Sequence, residues 1–253
     1  MRQEPVASAP QSDPVTSTTT RQNNPNYPVP NPFYFEGKVD YELLGIDTPQ
    51  NAWEFMERGI HEQDDLEDTQ SAIADYRTAI SMNSLQNGTC QLVTSSPVLP
   101  TMNPPPCMFT VRSRLGYLMM ETDPAEAIRL FQEVLQIDPL RLEISALIGE
   151  SYALLGDAAT DDASKKQAYG NAVAAFKAEL NLSPVTPQAT QLTGDEANNG
   201  PVHWALAEVY EKLGQNADAK AELNLYLKAT KWHSDTYPWR IALAEKKIDE
   251  LGQ

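Results

Sequence analysis

Three histidines and two cysteines are the side chains here best suited to metal or nucleophilic chemistry, and their surroundings decide whether they can perform it. His61 lies in HEQDDLED beside Glu62, Asp64 and Asp65. That run has neither the glycine and spacing of a calcium loop nor the second His of a zinc helix, so a solvated acidic turn is expected. His203 adjoins Trp204 at a helical position where packing is the expected role. His233 sits in KWHSDTYPWR with Ser234 and Asp235, but a charge-transfer triad converges from separate elements, not from one short turn. No Gly-rich phosphate loop, nucleophile elbow or CxxCH haem site is present. The expectation is a protein that is not an enzyme, with no catalytic residue, no metal site and no cofactor.

Cys90 and Cys107 flank a Pro-rich stretch, NGTCQLVTSSPVLPTMNPPPC, in which Pro104-Pro105-Pro106 excludes a helix. A disulfide between them would close a loop of about 18 residues, stabilise by ~3 kcal/mol and imply an oxidising compartment. Two free thiols in a reducing cytosol are the alternative. Asn87-Gly88-Thr89 is a glycosylation sequon, informative only in secretory hosts.

The 253 residues carry 19 Lys+Arg against 35 Asp+Glu, a formal charge of −16. Such a balance excludes a general nucleic-acid binder, which needs clustered cations, and argues against docking on anionic membranes. No apolar run reaches the ~18–20 residues of a membrane span. Residues 1–36 hold seven of the 19 prolines among Ser, Thr, Asn and Gln, without a periodic apolar face. This segment is expected to be a disordered or extended arm or tether. Tyr27, Phe33, Tyr34 and Phe35 stand near its end among prolines, either in a solvated linker or in a polyproline-type arm that lays aromatics on a neighbour. The segment lacks the apolar stretch of a secretory signal but resembles the tether that follows a cleaved signal or lipid anchor. Localisation stays open between an extracytoplasmic (periplasmic or surface) site, slightly favoured, and the cytoplasm.

Elsewhere the periodicity is helical. Helices are expected over 52–63, 69–82, 108–121, 123–137, 140–155, about 164–182, 202–213, 216–230 and 239–251. Asp123-Pro124 has the form of an N-cap followed by proline in the first turn. Superposing successive pairs reveals a repeat. The first pair gives Gly59, Ala72, Tyr76 and Ala79, and the second gives Leu115, Gly116, Ala127, Phe131 and Pro139. Ile148, Gly149, Tyr152, Gly156, Ala172, Phe176 and Pro184 follow in the third, and Leu206, Ala207, Tyr210, Gly214, Ala219, Leu223 and Tyr226 in the fourth.

This pattern resembles the tetratricopeptide repeat, a helix-turn-helix unit with small residues at the helix crossing and aromatics in the gap. The resemblance covers about residues 49–230. It implies an all-α fold: a solenoid of such units with a C-terminal capping helix and the disordered or extended N-terminal arm. Residues 37–251 form the helical domain, with repeats at about 50–84, 108–139, 140–184 and 200–232 and the cap at 238–251. Departures are Glu62 where Tyr is usual, an insertion of about 11 residues near 158–167, and 17 residues between Pro184 and the next helix.

The family resemblance also implies a concave groove lined by the first (A) helix of each pair. Its positions fall on Trp53, Met56, Ile60 and Gln63; on Thr110, Ser113, Tyr117, Met120 and Glu121; on Glu143, Ala146 and Glu150; and on Trp204, Glu208 and Glu211. Chaperone-tail binders of the family hold a terminal carboxylate with Lys, Arg and Asn there, and these are missing. The groove joins aromatics and Met to carboxylates, which suits a partner peptide or domain that is apolar with basic flanks. Ordinary helix-surface charge is the alternative for the glutamates, and core packing for Trp53 and Tyr117. A second candidate interface joins Tyr27, Phe33, Tyr34 and Phe35 with Trp232, Tyr237 and Trp239, the last three equally suited to packing the cap.

The resulting expectation is a non-catalytic interaction scaffold or adaptor holding another protein in its groove. Two alternatives are a self-assembling structural subunit, whose arm lies along further copies of the chain, and an accessory subunit of a larger extracytoplasmic enzyme complex.

Overall fold

The computed structural model describes residues 48–82, 108–141, 143–182, 194–230 and 238–252. Tyr27, Phe33, Tyr34, Phe35, Cys90, Cys107, Trp232, His233 and Tyr237 lie outside the described residues, as does the side chain of Trp53. Among the described residues the chain forms α1 (Ala52–Asp64), α2 (Thr69–Ser81), α3 (Met108–Met119), α4 (Pro124–Ile137), α5 (Ile144–Ala158), α6 (Asp162–Leu182), α7 (Gly194–Lys212), α8 (Asn216–Thr230) and α9 (Pro238–Glu250). There is no strand among them.

Helix starts follow from short polar side chains placed to receive first-turn N–H groups. Asn51 accepts from the Glu54 N–H at 3.0 Å, Asp68 from Ser71 at 3.1 Å, and Asp123 from Glu126 at 3.1 Å with Pro124 opening α4. Gly214, at φ +71°, ends the turn after α7 in a conformation glycine tolerates best.

The helices pair as α1/α2, α3/α4, α5/α6 and α7/α8, and each second helix packs on the first of the next pair, with α8 meeting α9. No pair encloses its own apolar face. One core runs from Ala52 and Tyr76 through Leu115 and Phe131 to Ile144 and Leu147. A second joins Ala146 and Phe176 to Leu206 and Tyr210, and a third seats Ala244 of α9 among Trp204, Leu223 and Tyr226. The molecule is thus a helical-repeat stack closed at its C-terminal end by a capping helix.

Within each pair the crossing is set by matched sizes. A Cβ on Gly59 would lie 2.7 Å from the Tyr76 ring, on Gly116 2.7 Å from Phe131, and on Gly149 2.8 Å from Phe176. All three rings are fully buried. In the fourth pair a buried Ala207 replaces the glycine, and Leu223 stands where the others have an aromatic. A larger residue on one helix accompanies a smaller one on the other.

Three segments depart from the sequence reading. The helix expected from residue 140 starts at Ile144, because Glu143 takes a left-handed φ of +73° and supplies no side-chain cap. The cap comes from the neighbouring helix: the buried Glu179 of α6 accepts the Glu143 N–H at 2.7 Å. Glu179→Ala strips that N–H of its acceptor. It is expected to lower stability by about 1–2 kcal/mol in urea unfolding, and a change below about 0.3 kcal/mol would remove the capping role.

The insertion of the third pair lengthens both helices instead of forming a loop. Gly156 lies against the Tyr169 ring, Tyr169 Oη donates to Asp157 at 2.8 Å, and Lys212 of α7 reaches both Asp157 carboxylate oxygens at 2.6 and 2.7 Å. Lys212 Nζ also stands 5.6 Å from the Tyr169 ring centre. Burial, then Asp157, pushes the Tyr169 phenol up to about 12. Finally, α7 begins at Gly194, not near residue 202, with Pro201 inside it. Here packing overrides the proline, since Gly200 and Asn199 are buried and Gly200 faces Thr230, Ala229 and Tyr226 of α8.

Candidate interaction face of the A helices

The first helices of the pairs, α1, α3, α5 and α7, carry the positions expected to line the groove. Stacking covers several of them. Met56, Ser113, Met120, Ala146 and Trp204 are buried, and Glu150 is 8% exposed. These side chains are enclosed within the stack, which leaves little of Met56, Ser113, Glu150 and Trp204 for a partner to touch. A single amphipathic helix seen alone cannot reveal the second helix that will cover its other flank.

Two more positions are engaged internally. Gln63 accepts from Tyr76 Oη at 2.8 Å and from Arg114 Nη1 at 3.2 Å. Glu211 receives Lys247 Nζ of the cap at 2.9 and 3.1 Å, while Lys247 stands 5.7 Å from the Trp204 ring centre. Trp204 in turn meets Tyr226 edge-on at 5.0 Å. The cap is therefore held by an ion pair and an aromatic corner. Glu208 is half-buried, and burial raises its carboxyl above the usual range although Lys247, Trp204 and Lys212 favour its charged form.

Ile60, Thr110 and Tyr117 remain partly exposed and Glu121 exposed. With Glu208, the exposed Glu143 and the partly exposed Gln63 and Glu211 they form the part of the expected set that reaches solvent, and none of its members is a lysine or arginine. Trp239 is 47% exposed on α9, with Arg240 over its ring at 5.2 Å. His203 Nδ1 lies 2.7 Å from Glu222 Oε2, a tie between α7 and α8, and His61 Nδ1 lies 2.8 Å from Asp65.

Two sets of charged side chains, one joining α1 to α3 and one joining α1 to α2, went unseen in the sequence. Arg114 is fully buried and gives Nη1 to Asp64 at 2.9 and 3.0 Å. Arg58 forks onto Asp75, Nε at 2.5 Å and Nη2 at 2.8 Å, with Glu62 3.7 Å from Nε. Burial pushes Glu57 up to about 7 against the pull of Arg114. Burial and then Asp75 do the same to Glu62, also to about 7. Among the described residues no three His, Cys, Asp or Glu side chains come together as a metal site, and no helix is long and apolar enough to cross a membrane.

No protein-family model and no curated protein matches this sequence. Among solved structures, the chain is similar to TTC0263, a thermophilic TPR protein of Thermus thermophilus, at 16% identity over 79% of this chain and 80% of that one, with a TM-score of 0.49. It is also similar to the apo form of RapI, at 13% identity over 83% of this chain with a TM-score of 0.54. The match covers 51% of RapI, about half its length. The likeness to RapI bears on the fold alone, a stack of paired helices.

Proposed function

We propose that this tetratricopeptide-like solenoid is a non-catalytic interaction scaffold that holds a partner protein along its A helices. The observation that supports it most is the composition of what stays accessible there. Ile60 and Tyr117 give apolar surface and Glu121 and Glu208 give carboxyl groups, on a set of positions that contains no lysine or arginine. A partner segment with an apolar centre and Lys or Arg on its flanks complements both features. The fold supports the same reading on α1, α3 and α7, which keep partly exposed positions beside their packed faces, whereas the first two turns of α5 are buried all round.

The test is binding of fluorescent peptides that share an apolar centre and differ in flanking charge. Basic-flanked peptides should bind best and lose affinity as salt rises. Glu121→Lys combined with Glu208→Gln should weaken them by roughly tenfold with the melting temperature retained. Equal binding of acidic-flanked peptides, or an unchanged affinity in the double variant, would reject this face as the site. Glu150 is unsuited to charge reversal, because a lysine there would enter the packed interior.

A further inference from the structure

The last helix of the stack has two apolar faces. One seats Ala244, with Ile248 and Leu251 beside it, against Trp204, Leu223 and Tyr226. On the other, Trp239 is 47% exposed, Leu243 is 37% exposed and Ala242 is exposed between them, at the i, i+3, i+4 spacing that makes one helical patch. The terminal unit of a helical stack keeps its outer face polar, as the second half of α9 does with Glu245, Lys246, Asp249 and Glu250 exposed. The first half breaks that rule. An exposed indole beside an aliphatic side chain is surface of the kind that receives prolines and aromatic rings from extended segments.

This chain carries such a segment. YPVPNPFYFE, residues 27–36, holds Pro28, Pro30 and Pro32 with the rings of Tyr27, Phe33, Tyr34 and Phe35, and its one charge is Glu36. Arg240 stands on the rim of the α9 patch, 5.2 Å from the centre of the Trp239 ring, and complements that acid. The A-helix face, whose accessible positions include Glu121 and Glu208 and no lysine or arginine, does not. Reach decides which copy supplies the segment. Thirteen residue steps lead from Phe35 to Thr48, the first described residue, and cover at most about 45 Å when fully extended. From α1 to α9 lie four helix pairs, each displaced from the next by about 10 Å, on the order of 40 Å in all. Docking within one chain therefore draws the connection taut along the whole stack, whereas a second copy meets no such limit.

We propose that the outer face of α9, at Trp239, Ala242 and Leu243, is the docking site for residues 27–36 of a second copy of this chain, joining copies head to tail. The arm leaves the α1 end of one molecule and is received at the α9 end of the next, a contact between unlike surfaces that leaves both outer ends open to further copies. The partner proposed for the A helices occupies a different face, so the two readings fail independently.

Light scattering of the full chain from about 1 µM to about 500 µM tests the contact. The mass should rise with concentration from the 28.0 kDa of one copy past that of two. Trp239→Ser/Leu243→Ser alters the site at exposed positions, and Phe33→Ser/Tyr34→Ser/Phe35→Ser alters the arm. Each variant should keep the melting temperature and weaken association by at least about tenfold. Mixed in equal amounts, the two should form a complex of two copies and stop there, because one intact arm and one intact site remain between them. A mixture that stays monomeric overturns the proposal. So does an unmodified chain that is monomeric at every concentration, the result expected if the arm docks on its own molecule. Association that survives loss of the arm's rings, as in a pairing of α9 with α9, or that survives the changes at Trp239 and Leu243, overturns it as well.

Discussion

Arg114→Met is expected to cost about 3–5 kcal/mol of unfolding free energy at neutral pH. The arginine is fully buried, so its own desolvation has already been met by Asp64, Gln63 and the nearby Glu57. Methionine fills much of the space but leaves Asp64, with a side chain 15% exposed, and the buried Glu57 without their cation. Their charged forms then have no compensation. Since Arg114 holds both carboxyls down against burial, its removal raises both, and protonation becomes the available relief. The loss should therefore be smaller in urea unfolding at pH 5 than at pH 7.5. A loss under about 1 kcal/mol at the higher pH would mean that the pair contributes no more than an exposed salt bridge.

Gly149→Ala is expected to lower stability by about 2 kcal/mol, although alanine is the better helix former by about 1 kcal/mol. The new Cβ would stand 2.8 Å from Cδ1 and Cε1 and 2.9 Å from Cγ of Phe176, a rigid ring with no exposure into which it could retreat. Shrinking the ring should restore room. The double variant Gly149→Ala/Phe176→Leu reproduces the pairing of Ala207 with Leu223 and should be more stable than the sum of the two single losses by about 1–2 kcal/mol. Additive losses in the cycle would show that the two residues do not set the crossing together.

The legible parts of this fold are those fixed by neighbours in sequence. The bounds of α8 agree with the reading at 216–230, and Asp123-Pro124 starts α4 as its local chemistry requires. The glycine–aromatic matches at Gly59, Gly116 and Gly149 were readable because the motif repeats. Contacts between residues far apart in sequence were not, whether within a pair or between pairs. Glu179 caps a helix 36 residues away, which no local pattern announces. Met56, Ser113 and Trp204 were assigned to the groove because periodicity marks a face without saying how much of it the next helix covers. The charged sets did leave two traces: Glu62 stands where the repeat usually has Tyr, and Arg114 falls in line with Val111, Leu115 and Leu118 on the apolar side of α3. A charge in such a stripe implies a buried counterpart, but the counterpart lies 50 residues away in α1.

In the lengthened third pair, Asp157, Tyr169 and Lys212 bring the tip of α5/α6 to the end of α7 at the edge of the core that those pairs share. The lysine–carboxylate contact there is open to solvent on both sides, so rising salt weakens it while the apolar core beneath keeps the pairs together.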